Sequence, residues 1–157
     1  MGDVDEFLAA VLPRQRQAEL ALLDGDSGPR KSLWSHKDPV TILGAAKTVS
    51  GWPEVESLFD WLASNFSNGD LYELDVTAAG VSGDLGYVVG AEHSSASVDG
   101  EAPAPIELRV TLIFRREEWR MEGSSQTCRP DPRHPVDASA ASSLQVGRRS
   151  FGGSRPN

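Results

Sequence analysis

The sequence predicts an α+β fold, with helices from its first half packed against one face of a curved antiparallel sheet. Three stretches carry that expectation. Trp52, Val55, Phe59, Leu62 and Phe66 recur at the helical period. Tyr72, Leu74, Val76 and Ala78 alternate with Glu73, Asp75 and Thr77, and the Ser82-Gly83-Asp84 turn leads into a second strand from Leu85 to about Ser95. Ile106, Leu108, Val110, Leu112 and Phe114 alternate with Glu107, Arg109, Thr111, Ile113 and Arg115, one apolar face against one mixed face. Helices first and a meander of strands afterwards give segregated layers, and no internal repeat interrupts them.

Taken in order, Asp3 to Leu12 reads as a short helical entry, and Pro13 suits the first turn of a helix running to about Leu23, where Asp24, Gly25 and Asp26 stop it. Pro29 to Trp34 reads as one turn of helix and Val40 to Leu43 as a brief strand. Ser50 or Gly51 caps the tryptophan-led helix, Pro53 is tolerated in its first turn, and Asn68-Gly69 ends it. Val98 to Pro105 holds Asp99-Gly100 and two prolines, so it reads as a mobile loop before the Ile106 strand. A charged turn over Arg115 to Glu118 precedes Trp119.

Composition narrows the function classes. The chain of 157 residues carries a net charge of -8, which disfavours binding to a phosphate backbone and predicts no nucleic-acid partner. The single cysteine, Cys128, excludes an intramolecular disulfide and a cysteine-based metal cluster. No metal and no cofactor are expected. No apolar run approaches the roughly 18 residues of a membrane span, and the acidic start MGDVDEF lacks the basic and apolar regions of a signal peptide. A cytoplasmic protein without membrane contact is the expectation.

The ordered set of motifs resembles the SnoaL-like, or nuclear-transport-factor-2-like, superfamily. Leu33-Trp34-Ser35, DPVTILG at Asp38 to Gly44, SGW at Ser50 to Trp52, VSGDLGYVVG at Val81 to Gly90 and RVTLIFRR from Arg109 to Arg116 fall in the family's order over residues 5 to 121. The resemblance implies a cone in which helices and the concave face of the sheet enclose a small-molecule pocket, commonly in a homodimer. An outer sheet face with large side chains, uncovered by the single helical layer, is where a second copy would pack.

The family continues after its tryptophan strand into an HxHxD ending, whereas this chain reads MEGSSQTCRP over Met121 to Pro130. One admissible set of codons for those residues, entered one base later, reads WKVVHRHAD. The acidic excess also ends near residue 122, and the chain beyond it is net basic and rich in Ser, Gly, Pro and Arg. These observations divide the chain into a domain over 1–122 with an incomplete last strand and an out-of-frame, disordered tail over 123–157, too poor in apolar surface to offset its ordering entropy.

Within such a cone, Arg109 matches the arginine of the RVT motif, and its guanidinium would clamp a carboxylate in the pocket. Its alternative placement is the solvated sheet face, or a pairing with Glu92. Thr111 shares its face by parity. Trp34 and Tyr87 are the aromatic candidates for the pocket lining, although large rings at strand or helix spacing more often belong to a core. Tyr87 and Glu92 are the candidates for acid or base, while His36 and His93 read as surface residues. No carboxylate stands at the strand end Leu43-Gly44-Ala45 where the family's steroid-isomerase branch needs one. Two readings remain: a module binding a small acidic or carbonyl compound, or a cofactor-free isomerase, cyclase or dehydratase acting on an enolisable or polyketide-like substrate.

Overall fold

The computed structural model describes residues 2–117 and 119–128. Among the described residues, three helices accompany one six-stranded sheet, two before its first strand and the third between its second and third strands. Helix α1 spans Asp3–Leu23 and α2 Gly28–Leu33. Strands β1 (Thr41–Leu43) and β2 (Thr48–Ser50) form a small hairpin, and helix α3 (Trp52–Asn65) follows. Strands β3 (Phe66–Ser82), β4 (Leu85–Val98), β5 (Ala104–Arg115) and β6 (Arg120–Cys128) complete the sheet. Its order is β2-β1-β6-β5-β4-β3, and every neighbouring pair is antiparallel except β1 with β6.

α1 is one continuous helix, with Pro13 inside it rather than opening a second helix. Phe7 and Val11 before the proline and Ala18 and Leu22 after it bury on the same side of the helix, so tertiary packing carries the helix across the missing N–H. α3 buries Val55, Leu58 and Phe59 and hands over to β3 at Phe66, earlier than Asn68-Gly69. Asp38 closes its first turn, because Oδ1 accepts from the Trp52 backbone N–H at 3.2 Å. Strand β2 was not anticipated.

The core lies between the helices and one face of the sheet. Val88, Val110, Leu112, Phe114 and Met121 point to that face and pack with Phe7, Val11, Trp34, Val55 and Phe59. Phe7 meets Phe114 edge-on at 5.5 Å and sits against Gly86, where a Cβ would lie 2.7 Å from its ring. Arg115 ties the segment before β1 to the sheet: its guanidinium donates to the Lys37 and Pro39 carbonyls at 2.9 and 3.0 Å and pairs with Glu122 at 2.7 Å.

β6 departs from the expected domain boundary. It pairs with β5 from Arg120 to Cys128 and with β1 over Gly123, Ser124 and Ser125, so residues 123–128 form the middle of the sheet rather than the start of a tail. Ladder hydrogen bonds come from the backbone and are indifferent to a serine-rich composition, and both flanking strands leave donors and acceptors that β6 satisfies. The expectation of disorder for residues 129–157 lies outside the described residues.

Candidate functional site

The helical stripe of α1 is interrupted twice by polar residues. Gln15 and Glu19 stand on the buried face, 1% and 6% exposed, where apolar periodicity would place hydrophobic side chains. The β3–β4 register aligns Tyr72 with Ser94 and Leu74 with Glu92, which brings Tyr72 and Glu92 diagonally together on the inner face of the sheet. α2 adds Arg30, 4% exposed. One polar cluster thus occupies the space between α1, α2 and the sheet.

The Tyr72 hydroxyl donates to Glu92 Oε1 at 2.7 Å. Gln15 Nε2 lies 3.2 Å from Glu19 Oε1, 3.4 Å from the Tyr72 hydroxyl and 3.5 Å from Glu92 Oε1, linking the two carboxyl groups. Arg30 forms an ion pair with Glu19 through Nη1, and its guanidinium carbon lies 4.9 Å from the centre of the Phe59 ring. Trp34 meets the same ring edge-on at 5.4 Å. Among the described residues, Gln15 Oε1, Arg30 Nε and Trp34 Nε1 are buried polar atoms with no hydrogen-bond partner.

Electrostatics separates the two carboxyl groups. Glu19 faces Arg30, whereas Glu92 has only neutral donors in direct contact. Burial, reinforced by the negative charge of Glu19, pushes the Glu92 carboxyl up to about 7, against the lowering effect of Tyr72, Arg30 and Gln15. Burial also pushes the Tyr72 phenol far above its ordinary range, so it stays protonated as a donor. A carboxyl poised near neutrality beside a fixed phenol is a pair able to accept and return a proton near neutral pH.

This arrangement predicts a pH dependence. Glu92 has a folded pKa above its unfolded value, so its contribution to stability is complete below about 4.5 and is lost as pH rises through about 7. In Glu92→Gln that loss disappears. Thermal melts of the two proteins should therefore differ little near pH 4.5 and diverge toward pH 8, with the variant the more stable; parallel profiles across the window would refute the assignment.

The other expected site residues are distributed differently. Arg109 and Thr111 lie on the sheet face away from the helices, since the apolar partners Val110 and Leu112 take the inner face. Arg109 is exposed, pairs in register with Ala91 and Thr127, and forms no ion pair with Glu92, which points to the opposite side. With Thr77, Ala91, Thr111 and Ser125 it lines a shallow outer depression of about 410 Å³. Tyr87 is also on the outer face, 45% exposed, with its ring over Gly80, where a Cβ would lie 2.5 Å from the ring. It touches neither Glu92 nor the interior cluster. Trp34 is fully buried core. The expected pocket set is thus split between two faces, and only Glu92 belongs to the interior cluster.

His36 is exposed and stacks on Trp52 at 3.9 Å, and His93 pairs with Asp75 at 3.1 Å on the outer face. No group of three or more His, Cys, Asp or Glu among the described residues is placed to hold a metal ion. No helix among them is long and apolar enough to cross a membrane.

Comparison with known proteins agrees with the fold. A family model described as a SnoaL-like domain matches residues 21–126. A candidate dehydratase of the NTF2-like family from Streptomyces avermitilis superimposes with a TM-score of 0.67 at 19% identity, covering 81% of this chain and 99% of its own. An NTF2-like superfamily protein from Salmonella enterica gives 0.64 at 14% identity, covering 82% and 92%. A ketosteroid isomerase-like protein from Erwinia carotovora atroseptica gives 0.62 at 12% identity, covering 77% and 95%. No curated protein matches the chain. At these identities the structural likeness speaks for the architecture alone, an NTF2-like α+β cone.

Proposed function

Because the chain belongs to the SnoaL-like domain family, we propose that it takes a small acidic or carbonyl compound into the interior of the cone and moves a proton on it. The observation that carries this reading is Glu92, buried yet poised near neutrality at about 7 and held at 2.7 Å by the Tyr72 hydroxyl. In the proposed reaction the Glu92 carboxylate takes a proton from the carbon next to a carbonyl, and Tyr72 donates a hydrogen bond to the developing oxyanion. Glu92, now a carboxylic acid, returns the proton at the same carbon or at the far end of the conjugated system. The first outcome is exchange and the second isomerisation; neither needs a cofactor.

A binding module without turnover is the alternative, supported by the buried Gln15 Oε1 and Arg30 Nε, which have no hydrogen-bond partner among the described residues and are open to a ligand's polar group. The two differ in one experiment. Deuterium exchange into enolisable enones, followed by proton NMR, should proceed with the native protein and fall by about a hundredfold or more in Glu92→Gln, within the span of general-base contributions. Exchange at the solvent rate with both proteins would leave binding alone.

A second reading concerns the outer face. Exposed Arg109 beside the hydroxyls of Thr77, Thr111 and Ser125 suits an acidic group, and this face also carries Tyr87 and Ile113, 45% and 37% exposed. We propose that it serves a cytoplasmic homodimer as the contact between copies. Light scattering at micromolar concentration should give twice the chain mass, and Ile113→Arg should give the monomer; a native monomer would reject the assembly.

A further inference from the structure

Helix α1 has one weak turn. Pro13 lacks an N–H and its ring crowds the carbonyl four residues earlier, so the helix loses a rung there. Beside that turn, Leu12, Pro13 and Arg16 face Tyr72, Glu73 and Leu74 across a depression of about 430 Å³. β3 is the edge strand, so among the described residues no further strand closes the cone on this side. Tyr72, whose hydroxyl holds Glu92, is among the residues that line the depression. At its rim, exposed Arg16 donates through Nη1 to the Tyr72 backbone carbonyl, tying α1 to the sheet edge.

The geometry points to this seam as the entrance to the interior site, with Arg16 receiving the acidic end of a small monocarboxylic ligand that has an apolar body. The inference rests on the interior reading given above. Arg16 holds a neutral carbonyl, and a carboxylate is the stronger acceptor, able to engage the guanidinium with two parallel bonds. An arriving acid therefore competes for the tether at the turn where α1 is least supported. Leu12, Pro13 and Leu74 offer the apolar wall for the body of the ligand. One acid group and one apolar portion are the chemistry this rim selects.

Benzoate and its uncharged counterpart benzamide are suitable probes, titrated into the full chain and followed by amide NMR. Benzoate should shift the amides of residues 12–16 and 72–74 and those around Glu92, and Arg16→Gln should weaken it by about tenfold or more, the loss of one charge-assisted interaction. Benzamide should bind alike to both proteins. Leu12→Trp, which fills the depression, should slow benzoate arrival while the titration of Glu92 stays in place. Unchanged benzoate affinity in Arg16→Gln and unchanged arrival in Leu12→Trp would overturn the seam. So would benzoate shifts confined to residues elsewhere. Failure of the interior reading is seen separately, as Glu92 titrating in the ordinary carboxylate range whatever benzoate does.

Discussion

Arg30→Met is expected to destabilise the fold by about 3–5 kcal/mol, the cost of leaving a buried charge without its partner. Glu19 and Arg30 have side chains 8% and 5% exposed and are bound to each other, while Gln15 offers Glu19 only a neutral donor at 3.2 Å. Methionine fills a similar volume against Phe59 but supplies no donor, so the Glu19 carboxyl must take up a proton or draw in water. Urea denaturation should show the midpoint falling. The double variant Arg30→Met with Glu19→Leu should recover much of the loss, because an apolar pair of similar volume replaces the ions. A single variant as stable as the native protein would show that the ion pair contributes nothing to stability.

Truncation after Glu122 is expected to abolish cooperative folding. The removed residues 123–128 lie between β1 and β5, so their loss strands the facing groups of both neighbours and detaches the β1–β2 hairpin. Several ladder hydrogen bonds at about 0.5–1.5 kcal/mol each would consume much of a stability of about 5–15 kcal/mol. Truncation after Cys128 keeps the whole sheet and should retain a cooperative melt. Circular dichroism melts of the two truncations separate the outcomes, and an equally cooperative melt for the shorter chain would restore the boundary at 122. Ser124 adds a mild companion case: its hydroxyl is buried and has no partner among the described residues. Ser124→Val should stabilise the protein by about 1 kcal/mol.

The elements with strong local patterns were legible. The period of Trp52, Val55 and Phe59 gave α3, and the Ser82-Gly83-Asp84 turn gave the β3–β4 hairpin, because these signals need only a few neighbouring residues. The helical interruption expected at Pro13 did not occur, since long-range packing of Phe7 and Leu22 outweighs one missing hydrogen bond. Central placement of β6 was not legible: its partner β1 has three residues and lies far away in sequence.

The site shows the same division. Parity put Arg109 and Thr111 on one face, and the alternation itself held the answer to which face: Val110, Leu112 and Phe114 are the apolar set and must turn toward the helices. The family pattern of an arginine in the pocket drew Arg109 inward against that signal. Gln15 and Glu19 were missed although each breaks the stripe of α1 at a core position, a readable sign of a buried polar cluster. Arg30 and Tyr72 carried no such sign, because what makes them part of the cluster is tertiary packing and strand register.

The most direct measurement is the titration of the Glu92 side chain by carbon-13 NMR, with glutamate labelled at the carboxyl carbon and Glu92→Gln used for assignment. A midpoint near 7, moved downward when Glu19→Gln removes the neighbouring negative charge, is the result predicted for a buried proton-transferring carboxyl. A midpoint in the ordinary carboxylate range, unmoved by Glu19→Gln, would contradict it.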